Sequence, residues 1–234
     1  MASNTTGARS GGPFRLSGRA TVILGATIAL LLIYATDQIA PASSDRQAQL
    51  RVWLAARATG VTALVLLTAQ VTLGLVLSHP TNKSTWKLSK TIFPWHDHLW
   101  VFVASFLGVH VVSLVLDPWA GVGIEGALIP GLSAYRSVPV ALGTLALYAF
   151  LVTALTARFT KLLPRGMWLV LHRVSGVTLA LAWVHGMLAG TDSRALQPLY
   201  IACGLAVLGA IAYRYWAVRQ ARPSFATTLS EVTR

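Results

Sequence analysis

The sequence predicts an all-α membrane protein: a polytopic bundle of six transmembrane helices with both termini in the cytoplasm. Three observations predict it. Of 234 residues, 55% are hydrophobic and 11% charged, and the mean hydropathy is +0.62, a composition suited to lipid. Six apolar runs approach the roughly 20 residues a helix needs to cross a hydrocarbon core. Basic residues recur in alternate connections, as the positive-inside rule requires.

The N-terminal segment 1–19 carries Arg9, Arg15 and Arg19 and is read as cytoplasmic. The first span, Ala20–Ile39, competes with a signal-peptide reading, since basic residues, an apolar stretch and the small pair Ala40 and Ala42 fit both. Its length, and the alternation of basic loops it preserves, favour a retained span. The second span is Val52–Leu77. The connection His79–Pro94 holds Lys83, Lys87 and Lys90 with residues that turn chains, and His79 before Pro80 marks a cytoplasmic turn. The third span is His98–Leu116.

Asp117–Arg136 follows on the outer side, and its stretch Gly121-Val-Gly-Ile-Glu-Gly126 reads as a flexible loop. The fourth span is Val138–Ala157, and Arg158, Lys161 and Arg165 fill the next connection. The fifth is Trp168–Ala189 and the sixth Leu196–Ala217. The cytoplasmic tail 218–234 contains Arg219 and Arg222, just beyond Arg214. Asp37, Asp45, Asp117, Glu125 and Asp192 fall in the other connections, which places those outside. The bundle, residues 20–217, is the single domain, and the expected location is the cell (plasma) membrane, multi-pass.

The net charge is +12, from 19 Lys and Arg against 7 Asp and Glu. These cations flank apolar spans rather than interleave with aromatics on a soluble face, so nucleic acid is excluded as a partner and membrane lipid takes its place. The single cysteine, Cys203, lies in an apolar run, which excludes an intrachain disulfide framework and assigns it to packing. Trp86, Trp95, Trp100, Trp119, Trp168 and Trp216 near span ends match an aromatic belt.

The histidines carry the chemistry. His96 and His110 are 14 residues apart in the third span, and His172 and His185 are 13 apart in the fifth. Both spans run from cytoplasm to outside in this topology, so the pairs fall at matching depths. At about 1.5 Å per residue the separations correspond to roughly 20 Å along each helix, enough for two stacked haem planes. Fourteen residues bring His96 and His110 back to within roughly 40° of one face, whereas thirteen leave His172 and His185 roughly 140° apart, so the fifth span must tilt, kink or present its rings differently. Gly176 and Gly186 are the candidates for that freedom. Two neutral imidazoles saturate a haem iron and suit it to electron transfer rather than substrate binding.

His98 sits about 200° around the helix from His96, so it is assigned to packing, a proton route or a propionate contact. Asp97 reads as a helix-start cap. Arg173 and Arg165 on the inner side, and Arg57 and Arg136 on the outer, are the candidate cations for haem propionates. Trp183, beside His185, is a candidate to pack on a porphyrin. Gly186 and Gly190 form a small-xxx-small pair that suits close helix approach.

Arg57-Ala-Thr-Gly60, Trp95-His96 with His110, Pro130-Gly-Leu-Ser-Ala-Tyr-Arg136, Leu171-His172-Arg173 and Val184-His185-Gly186 together resemble the ferric reductase-like transmembrane family. Its six-helix core is shared with NADPH oxidases and with the haem-binding membrane subunit of the methionine sulfoxide reductase system. The resemblance covers residues 50–217. It implies two b-type haems bound across helices, with His96 and His172 as metal ligands of the inner haem and His110 and His185 of the outer. A lone intramembrane histidine most often bonds a carbonyl or hydroxyl across an interface; four at matched depths within this pattern favour ligation.

Oxidase and ferric reductase relatives carry a C-terminal flavin and nicotinamide region that a 17-residue tail cannot supply, and no dinucleotide fingerprint follows a strand. The expected function is therefore transmembrane electron transfer, as the membrane subunit of an oxidoreductase system. Electrons would come from a separate cytoplasmic flavoprotein reductase or a membrane quinol, with flavin or quinone supplied through that partner. They would leave to an extracytoplasmic acceptor oxidoreductase. The alternative is a transporter or a proton- or metal-conducting bundle that uses the histidines without haem.

Overall fold

The computed structural model describes residues 18–39, 43–78, 86–164 and 166–221, and these are helical throughout their regular structure, with no strand among them. The elements are α1 (Gly18–Ile39), α2 (Asp45–Leu77), α3 (Trp86–Leu116), α4 (Gly123–Leu128), α5 (Ser137–Arg158), α6 (Met167–His172), α7 (Val174–Ala189) and α8 (Gln197–Ala221). His79, Lys83, Arg165, Arg222, nearly all of segment 1–19 and most of the tail lie outside the described residues.

Among the described residues, five helical stretches are long and apolar enough to cross a membrane: Asp45–Leu77, Lys87–Leu116, Ser137–Arg158, Met167–Ala189 and Gln197–Arg219. At most 28% of any of these apolar windows is buried inside the protein. Leu145, Leu151, Leu155, Val177, Leu205 and Leu208 all point outward, an arrangement that lipid tolerates and water does not. In α1 the apolar stretch among the described residues is Ile23–Leu32. It packs on α3, where the Ser105 hydroxyl donates to the Gly25 carbonyl at 3.2 Å.

The start of α2 is built by its sequence. Ser44 caps it, accepting from the Gln47 amide at 3.2 Å, while the Gln47 side chain accepts from the Ser43 amide at 2.7 Å, a close variant of the reciprocal capping box. Asp45 adds a carboxylate at the positive end of the helix dipole.

Three readings of the sequence are corrected. Residues 86–94 of the second connection are not a turn: α3 begins at Trp86 and runs through Pro94. A proline costs one backbone hydrogen bond, and a 31-residue helix packed closely against α2 withstands it. It follows that Asp97 lies inside a helix, not at its start, and is no cap. The third correction is the glycine-rich loop. Gly121 and Gly123 adopt left-handed φ values of 64° and 62° and lead into α4, whose Ala127 packs with Ala120, Val122 and Val140 in a buried cluster. A Cβ on Gly126 would stand 2.7 Å from Ser133 Cα. These glycines serve tight backbone geometry rather than flexibility.

In the fifth span α6 ends at His172 and α7 begins at Val174; Arg173 between them keeps right-handed helical angles, φ −66° and ψ −17°, so Met167–Ala189 runs as one helical stretch. The principal helix pairings are α2 with α3 and α5 with α7, bridged by contacts of α2 with α7 and α8. The core between them is formed by Leu64, Leu67, Val71, Val103, Phe150 and Leu179. Cys203 is buried and free. Gly186 lies under Tyr200, whose hydroxyl would be 3.1 Å from an added Cβ, so this glycine does permit close approach of α7 and α8.

Candidate functional site

The structure brings the four histidines together in two pairs, each across helices. The rings of His96 and His172 have centroids 6.1 Å apart with planes at 81°, and those of His110 and His185 have centroids 6.4 Å apart at 73°. A metal bonded in line to two imidazole nitrogens at about 2.0 Å would hold the two centroids about 6.3 Å apart, given about 1.15 Å from ring centre to nitrogen. Both pairs match that distance.

Three of the rings are oriented in one way. His110 Nδ1 lies 2.6 Å from the Ala56 carbonyl, His96 Nδ1 3.0 Å from that of Gln70, and His185 Nδ1 2.7 Å from that of Pro139. A carbonyl only accepts, so each Nδ1 carries the proton and each Nε2 keeps its lone pair for a ligand. This is the usual device for fixing a metal-binding histidine.

Four residues after each accepting carbonyl stands a glycine. A Cβ on Gly60 would lie 2.7 Å from His110 Nδ1, one on Gly74 3.0 Å from His96 Cε1, and one on Gly143 2.7 Å from His185 Cε1. The imidazole rests flat against the helix at the point where any other residue would place a side chain. Sequence reasoning found Gly60 through the family resemblance and missed Gln70, Gly74 and Gly143. A signal existed for Gly74: it lies 14 residues from Gly60, the separation of His96 and His110, and in the antiparallel α2 and α3 that shared spacing keeps both contacts in register. Gly143 has no such counterpart.

The outer pair faces a cavity of about 180 Å³. Interiors seldom leave voids much larger than a water molecule. Its walls are mainly apolar, including Leu64, Leu67, Val103, Leu107 and Phe150, with His110 and His185 among the few polar groups. No three His, Cys, Asp or Glu side chains gather among the described residues. Two imidazoles and an apolar slot fit a haem, whose macrocycle fills the other positions on the iron.

The arginines separate. Arg57 lines the cavity, forms an ion pair with Asp192 and lies 6.0 Å from the centre of the Trp53 ring. Arg136, in a left-handed conformation, donates to the Leu188 carbonyl at 2.6 Å and does not line the cavity. Arg173 is exposed beside His172. Since Asp192 is 55% exposed, Asp192→Asn is expected to lower stability by no more than about 1 kcal/mol. Arg57→Ala should cost more through lost packing on Trp53. Denaturant titration of both variants in detergent checks the order.

Most of the remaining candidates sit apart from the pairs. His98 Nδ1 bonds the Pro94 carbonyl of its own helix at 2.7 Å, and with Asp97, Trp100, Arg158 and Lys161 it lines a second, polar cavity. Trp183 donates to the Tyr200 carbonyl at 3.1 Å and does not line the outer cavity. Trp95, Trp119 and Trp216 are exposed, while Trp168 stacks on His172 at 5.5 Å. No protein-family model matches the chain, and neither a curated protein nor a solved structure matches it.

Proposed function

We propose that this chain is the membrane electron-transfer subunit of an oxidoreductase system, similar in plan to the ferric reductase-like transmembrane family. It would hold two b-type haems, one between His96 and His172 and one between His110 and His185. The observation that carries this reading is the pair of ring separations, 6.1 and 6.4 Å, each suited to one metal between two imidazoles. A bis-imidazole haem passes single electrons and has no open position for substrate.

The residues of the chain then have definite tasks. Ala56, Gln70 and Pro139 hold three imidazoles in the ligating tautomer through their carbonyls. Apolar walls such as Leu67, Leu107 and Phe150 line the outer site. Arg57 supplies a cation at that site for a propionate, with Asp192 as its present partner. Along α3 the two ligands are separated by about 21 Å of helix rise, so the sites stand at two depths of one bilayer.

The end that gathers Lys87, Lys90, Arg158, Lys161, Arg214 and Arg219 faces the cytoplasm in this reading. With α1, 22 residues long, as a sixth crossing, both termini lie on that side of the plasma membrane. A cytoplasmic flavoprotein reductase or a membrane quinol feeds the inner site, and an extracytoplasmic oxidoreductase empties the outer one. Protein purified from haem-replete cells is expected to show a b-type reduced-minus-oxidised spectrum with about two haems per chain. A folded chain that binds no haem overturns the proposal and favours a transporter.

A further inference from the structure

The two histidine pairs are not equivalent, and the difference lies in His172. Its Nδ1 is buried, yet among the described residues no group offers it a hydrogen bond. No glycine of the described residues lies against its ring. It is the last residue of α6, a helix of six residues, directly before Arg173. Its ring neighbour besides His96 is Trp168, stacked at 5.5 Å with planes 20° apart, which supplies dispersion but no directional bond. Met167, Trp168, Leu169 and Val170 around it are exposed.

His96, on the other side of the same site, is tied twice. Its Nδ1 donates to the Gln70 carbonyl, and its own carbonyl accepts from Gln70 Nε2 at 2.9 Å. In the outer site both rings are bonded through Nδ1 and both are seated on glycine. A ligating imidazole loses roughly tenfold to hundredfold in metal affinity when its outer partner is removed, and His172 has none to begin with.

We propose that the His96–His172 site is an exchangeable haem site, at which small neutral or anionic iron ligands displace His172, while the His110–His185 site stays closed. This rests on the haem reading above. Displacement exchanges one axial donor for another: the imidazole leaves with its lone pair and the incoming ligand donates in its place, with no change in oxidation state.

The test uses the full chain loaded with haem. Carbon monoxide is titrated into the dithionite-reduced protein, and cyanide into the oxidised protein, with absorption spectra as readout. About one haem in two is expected to form each adduct, with the reactive site binding at least roughly tenfold more tightly than the other. The adduct is expected to persist in His110→Ala/His185→Ala, which lacks the outer ligands. Two bound haems that both resist carbon monoxide and cyanide, or that react equally, overturn the inference and leave the electron-transfer reading standing. Reaction that survives in His96→Ala/His172→Ala overturns it too, by assigning exchange to the outer site. Should a double variant fail to fold, the fraction of haem reacting in the unmodified chain still decides. A chain without haem removes both proposals together.

Discussion

His185→Ala is expected to cost the protein about half of its haem and to stop electron flow between the two faces of the membrane. In the proposed arrangement the outer site has two protein ligands, and His185 is held there by a 2.7 Å bond to the Pro139 carbonyl and by its seat on Gly143. No other described histidine is placed to substitute, since His98 is bonded within its own helix on α3. A single remaining imidazole leaves the iron without its second axial donor. Haem per chain, measured by pyridine haemochrome, should fall from about two to about one, and reduction of an external acceptor by vesicles loaded with a reductant should fall to the uncatalysed rate. Retention of both haems in this variant and in His110→Ala would refute the assignment of ligands.

Gly143→Val should have nearly the same effect without touching a histidine. An added Cβ would lie 2.7 Å from both Cε1 and Nδ1 of His185 and 3.0 Å from Nε2, closer than real side chains approach, and valine adds two methyl groups beyond it. The ring cannot yield and keep its bond to Pro139. Overpacking of this kind costs about 1–3 kcal/mol, and here it falls on the position of a ligand. The outer haem is expected to be lost or to become high-spin, with the inner haem unchanged. Gly108→Ala is the control: it lies two residues from His110 with nothing within 4 Å of an added Cβ, and a helical glycine replaced by alanine there should be neutral or stabilising. Equal haem content in the Gly143→Val and Gly108→Ala proteins would show that the glycine is not a seat for the ligand.

The helices were legible because membrane spans are written in composition and length. The second span was read to end at Leu77 and the third at Leu116, and both helices end there, where apolar residues give way to Ser78 and to Asp117. What local rules misplaced lay at the edges. Proline and glycine signal turns on average, but Pro94 sits inside α3 and the glycines near 121–126 build α4, because packing against α2 in one case and against α5 in the other outweighs local preference.

The candidate site was legible in part. Histidine is rare and costly in lipid, so four at matched spacings stood out from the sequence alone. Gln70, Gly74 and Gly143 did not, since glycine and a lone amide are ordinary in apolar helices and acquire meaning only from the ring that lies against them. The asymmetry of His172 was hinted at by the 13-residue spacing, yet the missing hydrogen bond at its Nδ1 is a matter of what stands across the interface.

By itself, then, the sequence determined the apolar character of these helices, their approximate ends and the spacing of the imidazoles along each of them, because hydropathy and a rise per residue are properties of one segment at a time. Only the tertiary structure decided which imidazoles face each other, which carbonyls fix their tautomers and which ring is left unheld. Those depend on the register and rotation of one helix against another, and helix-to-helix geometry is set by packing that no single segment contains.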